Sequence, residues 1–307
     1  MKRILIVGSG DVALRALPWL VRRFRVFALV RRGESGAAVR AAGAVPLRAD
    51  LDDRRSLGRL AGLAEAVLHF APPPSGGEGD PRTKRLLAAL AAGRSLPQGV
   101  VYISTTGVYG DCAGARVDET RPCRARTARA RRRVDAESRL RAFGRRCRVR
   151  VAILRAPGIY AADRLPLERL RRGDPVLAAA DDVDTNHIHA DDLARIACLA
   201  LFRAPPGRVY NASDDSGLKM GEYFDTVADA CGLPHPPRLG RAVIAEHLSA
   251  LALSFMGESR RLDNRRLKRE LRLHLRYPTV AAGLAALPPA HPSEPDPLVE
   301  HDFPCRP

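Results

Sequence analysis

The sequence predicts an α/β protein: a doubly wound parallel sheet with a small, partly helical C-terminal cap. Three observations predict it. Short apolar runs alternate with stretches of helical spacing through the first half of the chain. The runs are apolar at consecutive positions, as in strands covered on both faces. A glycine-rich turn, Gly8-Ser9-Gly10-Asp11-Val12-Ala13, joins the first run to the first helical stretch. Right-handed crossovers make the Rossmann fold the economical way to connect such units.

The elements follow in order. Ile4 to Val7 is an apolar run ending at Gly8, and Asp11 to Val21 has helical spacing. Val26 to Val30, Ala44 to Leu47 and Ala66 to Phe70 are further runs. Arg82 to Ala92 reads as a helix, Val100 to Ser104 as a fifth strand, Thr127 to Phe143 as a basic helix and Val149 to Leu154 as a sixth strand. Beyond Arg155, prolines and glycines interrupt the pattern. Helices are expected at Ala190 to Phe202, Met220 to Ala230 and Val243 to Met256, and a short strand at Arg208 to Asn211. The expected organisation is a dinucleotide-binding region over 1–160 and a cap with sheet-completing strands over 161–287. The stretch 288–307, with seven prolines in twenty residues, reads as a loose tail.

Composition narrows the function classes. At 307 residues, 46% hydrophobic and 28% charged, the chain can bury a sizeable core, which excludes a mostly disordered chain or a small disulfide scaffold. The net charge is +17, but only four of the 51 basic residues are lysines. Arginine is spread along the chain and aromatics are 5%, which reads as a general preference for arginine. Nucleic acid is therefore an unlikely partner, and small anionic molecules remain attractive ones. The thirteen arginines between Arg121 and Arg150 read as a solvated helix face or as a rim for an anionic substrate. Six dispersed cysteines suggest neither a zinc knuckle nor a redox pair, and no histidine pair has metal spacing with a third ligand. No apolar run is long enough to span a membrane and no signal-peptide pattern opens the chain, so a reducing cytoplasm is expected.

The turn at Gly8 carries the strongest chemistry. In a GxGxxA pattern after a strand, Gly8 permits the tight turn and Gly10 lets a pyrophosphate approach the backbone. Ala13 lets the helix pack on the strand, and the first N–H groups of that helix, from Asp11 and Val12 onward, face the phosphates. The cofactor ribose should meet the end of the second strand, where this chain has Arg31 and Arg32 and no acid until Glu34. Guanidinium groups suit a 2′-phosphate, so NADP(H) is preferred and NAD(H) is the alternative. Asp50 and Leu51 follow the third strand; Asp50 could accept from an adenine amino group or cap a helix. Phe70, Ala71 and Pro72, after the fourth strand, should lie on the ribose and nicotinamide side.

At Val101-Tyr102-Ile103-Ser104-Thr105-Thr106-Gly107-Val108-Tyr109-Gly110-Asp111 the sequence resembles the extended short-chain dehydrogenase/reductases, and within them the NAD-dependent epimerase/dehydratase family and its atypical members. Similar motifs follow in the expected order at Glu119 to Pro122, Leu154 to Tyr160, Asn186 to Ala194 and Val209 to Asp215. The resemblance covers about residues 1–275. It implies cofactor contacts from Ser104, Arg133, Pro157, Gly158 and Ile159, and a substrate-orienting hydroxyl at Thr105.

One departure bears on the chemistry. The superfamily uses a Tyr-x-x-x-Lys pair on the long helix after the fifth strand. With Ala136-Glu137 as the anchor, these positions fall on Arg129 and Arg133, and residues 111–159 contain no tyrosine. An arginine stays protonated near neutral pH and cannot shuttle a proton, though it can hold a hydroxyl or phosphate. The remaining proton-transfer candidates are Tyr109, Tyr160, His187 and His189, with Tyr109 in the loop expected to lie above the sheet. His189 matches a histidine that is mainly structural in the family. The expected function is hydride transfer to or from a small carbonyl, alcohol or nucleotide-sugar-like substrate. The alternative is a non-catalytic NADP(H)-binding redox sensor or regulatory protein. A monomer and a homodimer are both open.

Overall fold

A computed structural model describes residues 1–31 and 33–287. Arg32 and the stretch 288–307 lie outside the described residues. In chain order the strands are β1 (Arg3–Val7), β2 (Arg25–Val30), β3 (Val45–Arg48), β4 (Ala66–His69), β5 (Gly99–Thr105), β6 (Arg116–Val117) and β7 (Arg150–Ala156). There follow β8 (Gly158–Tyr160), β9 (Val176–Leu177), β10 (His187–His189), β11 (Arg208–Asn211), β12 (Arg238–Leu239) and β13 (Arg261–Leu262). The helices are α1 (Asp11–Val21), α2 (Gly33–Ala41), α3 (Pro81–Ala91), α4 (Ala128–Cys147), α5 (Leu167–Arg171) and α6 (Ala190–Arg203). The later ones are α7 (Met220–Cys231), α8 (Arg241–Ile244), α9 (Ala250–Met256), α10 (Arg265–Leu271) and α11 (Val280–Ala285).

Seven strands form one all-parallel sheet in the order β11-β7-β5-β4-β1-β2-β3. The chain winds from β1 to one edge through β2 and β3, and to the other through β4, β5, β7 and β11. The order therefore reverses between β1 and β4, and a crevice opens at their carboxyl ends. Both faces of the inner strands are covered, which is why they carry apolar residues at consecutive positions. Ile4 and Ile6 pack with Leu17 and Leu20 of α1 and Ile196 of α6. Leu5 and Val7 pack on the opposite face with Leu86 of α3 and Leu140 and Phe143 of α4. Each such side chain contributes about 1.5–3 kcal/mol of burial free energy.

Local chemistry sets the helix starts. Asp80 caps α3 by accepting from the Thr83 N–H at 3.1 Å, with Pro81 in the first turn. Thr127 caps α4 by accepting from the Ala130 N–H at 3.2 Å, and Arg148 ends it in the left-handed region at φ 53°. The expected helix from Val243 to Met256 is instead two, α8 and α9. A turn over 245–248 breaks it, and the Ser249 hydroxyl starts the second helix by accepting from the Ala252 N–H. The short parallel pairs β8–β10, β9–β12 and β6–β13 are two or three residues long, too short to leave a periodic signal. They hold the segments after β7 over the carboxyl end of the sheet. No helix among the described residues is long and apolar enough to cross a membrane.

Candidate functional site

Two cavities open along the carboxyl end of the sheet. The first, of about 430 Å³, lies over β1, β2 and β3 and is bordered by Gly8, Gly10, Arg31, Asp50, Ala71 and Arg82. Its floor is bare backbone. Gly8 has φ +97°, and a Cβ there would stand 2.4 Å from the Ala71 nitrogen. The N–H groups of Phe70 and Ala71 both donate to the Val7 carbonyl at 2.8 Å, which draws the end of β4 against the turn. A Cβ on Gly10 would meet nothing within 4 Å, so the α1 N-terminus is open to a ligand. The Ser9 hydroxyl donates to the Leu29 carbonyl at 2.6 Å and fixes the turn to β2.

Most of the residues expected at this cavity border it. Arg31 is exposed on its rim and makes no hydrogen bond or ion pair among the described residues. Asp50 closes a local turn, accepting from the Asp52 N–H at 2.9 Å, and does not cap a helix. Leu51 and Pro72 line the cavity. Phe70 instead packs into the core beneath, as Val12 does. The Asp11 carboxylate turns aside, accepting from Arg15 Nε at 2.7 Å and Arg164 Nη1 at 3.0 Å.

The second cavity, of about 470 Å³, lies over β5 and β7. Thr105, expected to orient substrate, lines it; so do Arg133, Pro157, Gly158 and Ile159, which were expected at the cofactor, and Arg129. The Thr105 hydroxyl accepts from the Gly107 N–H at 3.3 Å and keeps its own proton free. Ser104 borders the cavity but donates to Glu137 Oε1 at 2.7 Å. Glu137 also receives Arg155 Nη2 at 2.7 Å and Nε at 3.1 Å, a fully buried ion pair. Burial opposes the charge on Arg155, but the Glu137 hydrogen bonds prevail and hold its pKa above the ordinary arginine value. Arg133 Nη1 donates to the Ile103 carbonyl at 2.7 Å and to the Tyr102 hydroxyl at 2.9 Å.

Tyr109 does not face substrate. The turn Thr106–Tyr109 folds it inward, where it is fully buried beneath Arg155, whose Cζ lies 4.7 Å from its ring. Its hydroxyl donates to Asn211 Oδ1 at 2.7 Å, and burial pushes its pKa up to about 12. It lines neither cavity. Tyr160 donates to the Thr279 carbonyl at 3.1 Å and also lies outside the lining.

The two histidines, two apart on β10, take different tasks. His189 Nδ1 accepts from the Asp191 N–H at 3.2 Å and starts α6, a structural task. His187 borders the second cavity, 5% exposed, and stacks on Tyr223 with ring centroids 3.9 Å apart. Its buried Nδ1 has no partner, and burial pushes its pKa down to about 3, so the ring is neutral. Sequence reasoning missed Tyr223, Arg164, Arg169 and Arg260. They come from four separate segments and carry no local pattern.

Comparisons with known proteins bear on the family and the fold. The family model for the NAD dependent epimerase/dehydratase family matches residues 16–213. Among curated proteins none matches the chain. A functionally unknown conserved protein from Silicibacter pomeroyi is 31% identical, with TM-score 0.77 over 93% of this chain and 98% of that one. A candidate NAD-dependent epimerase/dehydratase from Methylobacillus flagellatus is 26% identical, with TM-score 0.69 over 93% and 97%. UDP-glucuronic acid 4-epimerase from Bacillus cereus, solved with UDP-glucuronic acid and NAD, shares the fold at 18% identity and TM-score 0.73 over 92% and 97%. The extent of the family match, over most of the seven-stranded sheet, shows that this chain belongs to the NAD dependent epimerase/dehydratase family.

Proposed function

We propose that the chain binds a nicotinamide dinucleotide in the first cavity, NADP(H) in preference to NAD(H), and acts as an oxidoreductase or epimerase-like enzyme on a small substrate in the second. The bare backbone at Gly8 and Gly10 carries this reading. The open space at Gly10 suits a diphosphate on the α1 N-terminus. Arg31 on the rim, without a hydrogen bond or ion pair among the described residues, suits a 2′-phosphate.

When bound, such a cofactor supplies hydride exchange at its nicotinamide ring. The chain's own residues bind and orient. The Thr105 hydroxyl, with its proton free, can donate to a substrate oxygen. Arg133, tied to Ile103 and Tyr102, is positioned to hold a ribose hydroxyl or phosphate. Tyr223 and Phe224 exclude water from one wall. Arg129 and Arg133 stand where the family pattern has tyrosine and lysine, and we assign to His187 a hydrogen bond to the substrate rather than uptake of a proton, since burial holds its ring neutral. Its neutral ring keeps one N–H to donate and one lone pair to accept.

The same two arginines favour a second reading, a non-catalytic NADP(H) sensor. Calorimetric titration of wild type and Arg31→Asp with NADP(H) and NAD(H) tests the cofactor assignment. Wild type is expected to favour NADP(H) and the variant to lose that preference; a wild-type preference for NAD(H) overturns it. NADPH oxidation across a carbonyl panel separates the readings. Turnover that Thr105→Ala abolishes, with cofactor affinity kept, supports the enzyme. Tight binding without turnover supports the sensor.

A further inference from the structure

The second cavity is electrostatically unbalanced. Five arginines line it (Arg129, Arg133, Arg164, Arg169 and Arg260) against two carboxylates, Asp184 and Glu258. Both carboxylates are engaged: Asp184 accepts from the Ser259 hydroxyl at 2.9 Å, and Glu258 accepts from Arg260 Nη1 at 2.9 Å. Arg133 is tied to β5 and Arg164 to Asp11. Arg260 also donates to the Gly110 carbonyl at 2.7 Å, while its buried Nε has no partner. Arg169 stacks on Phe224, with its Cζ 4.6 Å from the ring, and its buried Nη2 has no partner.

Arg129 stands apart from these. It makes no hydrogen bond or ion pair among the described residues, and its Cζ lies 4.4 Å from the centre of the Phe255 ring. Loss of hydration there holds its pKa below the ordinary arginine value; Glu258 opposes this, and Arg133, Arg132 and Arg260 reinforce it. A guanidinium with its whole fork unpaired, among other cations, offers bidentate bonds to an incoming oxyanion. One side of the lining is apolar, with Ile159, Met220, Phe224, Ala252 and Phe255, and the other is polar, with Thr105, Thr185, Asn186 and His187.

We propose that the second cavity takes a small organic acid with an apolar body, its carboxylate held by Arg129 and its hydrocarbon part lying on Met220, Phe224 and Phe255. The identification of that acid as a substrate rests on the enzyme reading above. The binding site itself stands on the arginines and the apolar wall alone. The apolar body is assigned to the side of the cavity formed by Met220, Phe224 and Phe255, which offers aromatic and thioether surface.

The test is calorimetric titration of the full chain with phenylpyruvate, with phenylacetone as the same body without the carboxylate, and with inorganic phosphate and UDP-glucose. Phenylpyruvate is expected to bind one to one, and phenylacetone at least tenfold more weakly. Arg129→Gln should weaken phenylpyruvate at least tenfold, with melting temperature and NADPH affinity unchanged, and Arg129→Lys should recover part of the loss. Absent phenylpyruvate binding, an unaffected Arg129→Gln, or phosphate or UDP-glucose binding as tightly as phenylpyruvate overturns the proposal. Parallel NADPH titration separates the two claims. If phenylpyruvate binds in an Arg129-dependent way but NADPH does not bind, the acid site stands and the dinucleotide reading falls. If NADPH binds and phenylpyruvate does not, the acid site alone falls.

Discussion

The two cavities lie side by side on one sheet and are built on opposite principles. The first is made by taking side chains away: Gly8 lets β4 close against the turn, and Gly10 leaves the helix end bare. The second is made by adding charge and aromatic rings from distant segments, from Thr105 to Arg260. A cradle of backbone tolerates almost no change at its centre, because any side chain fills it. A lining of side chains tolerates single replacements in its fold and changes instead what it binds.

The largest expected effect tests the first half of that contrast. Gly8→Ala forces a Cβ into the Ala71 backbone at a left-handed φ. It should destabilise the chain by about 3 kcal/mol or more, read from urea denaturation. Glu137→Gln reaches the floor of the second cavity and is expected to cost a comparable 3 kcal/mol or so, because it strands the buried Arg155 charge. If that variant is as stable as wild type, the second cavity has no buried ionic floor.

Titration sharpens the contrast further. His69 and His187 are both pushed down to about 3 by burial, with Arg133 adding to the effect at His69. Their unfolded values lie higher, so the unfolded chain binds more protons, and stability falls as pH drops below about 6.5. The slope approaches about 1.4 kcal/mol per pH unit for each histidine. Asp214, raised by burial to about 7, works the other way: its folded form holds a proton longer, so it removes stability as pH rises from about 3.8 to 7. Asp214→Asn should therefore raise the melting temperature at pH 8 and steepen the loss in acid. A flat profile in that variant would contradict the burial of both histidines.

Smaller effects separate fold from binding. Tyr109→Phe loses one buried hydrogen bond to Asn211. It should cost about 1 kcal/mol of stability with no change in the affinity of either cavity. Gly10→Ala should leave stability within about 1 kcal/mol, since nothing lies near the added methyl. It should nevertheless weaken dinucleotide binding at least tenfold by calorimetry.

What the sequence made legible follows the same division. The strands were readable because Ile4 to Val7, Val100 to Ser104 and Val149 to Leu154 are buried on both faces. The glycine turn was readable because its chemistry is local. Tyr109 was misplaced because a four-residue turn decides whether its ring points up or down, and that depends on Arg155 and Asn211, far away in the chain. Tyr223 and Arg260 were missed because only the fold brings α7 and β13's flank beside Thr105. The helical break at 245–248 was missed because apolar spacing alone carries no information about the Ser249 cap.

Arg164 borders one chamber while its guanidinium clasps Asp11, the first residue of the helix that closes the other. An occupant that drew this side chain toward itself would leave Asp11 to Arg15 alone. Any influence this exerted on a guest in the other chamber would, by thermodynamic reciprocity, act with equal strength in the opposite direction.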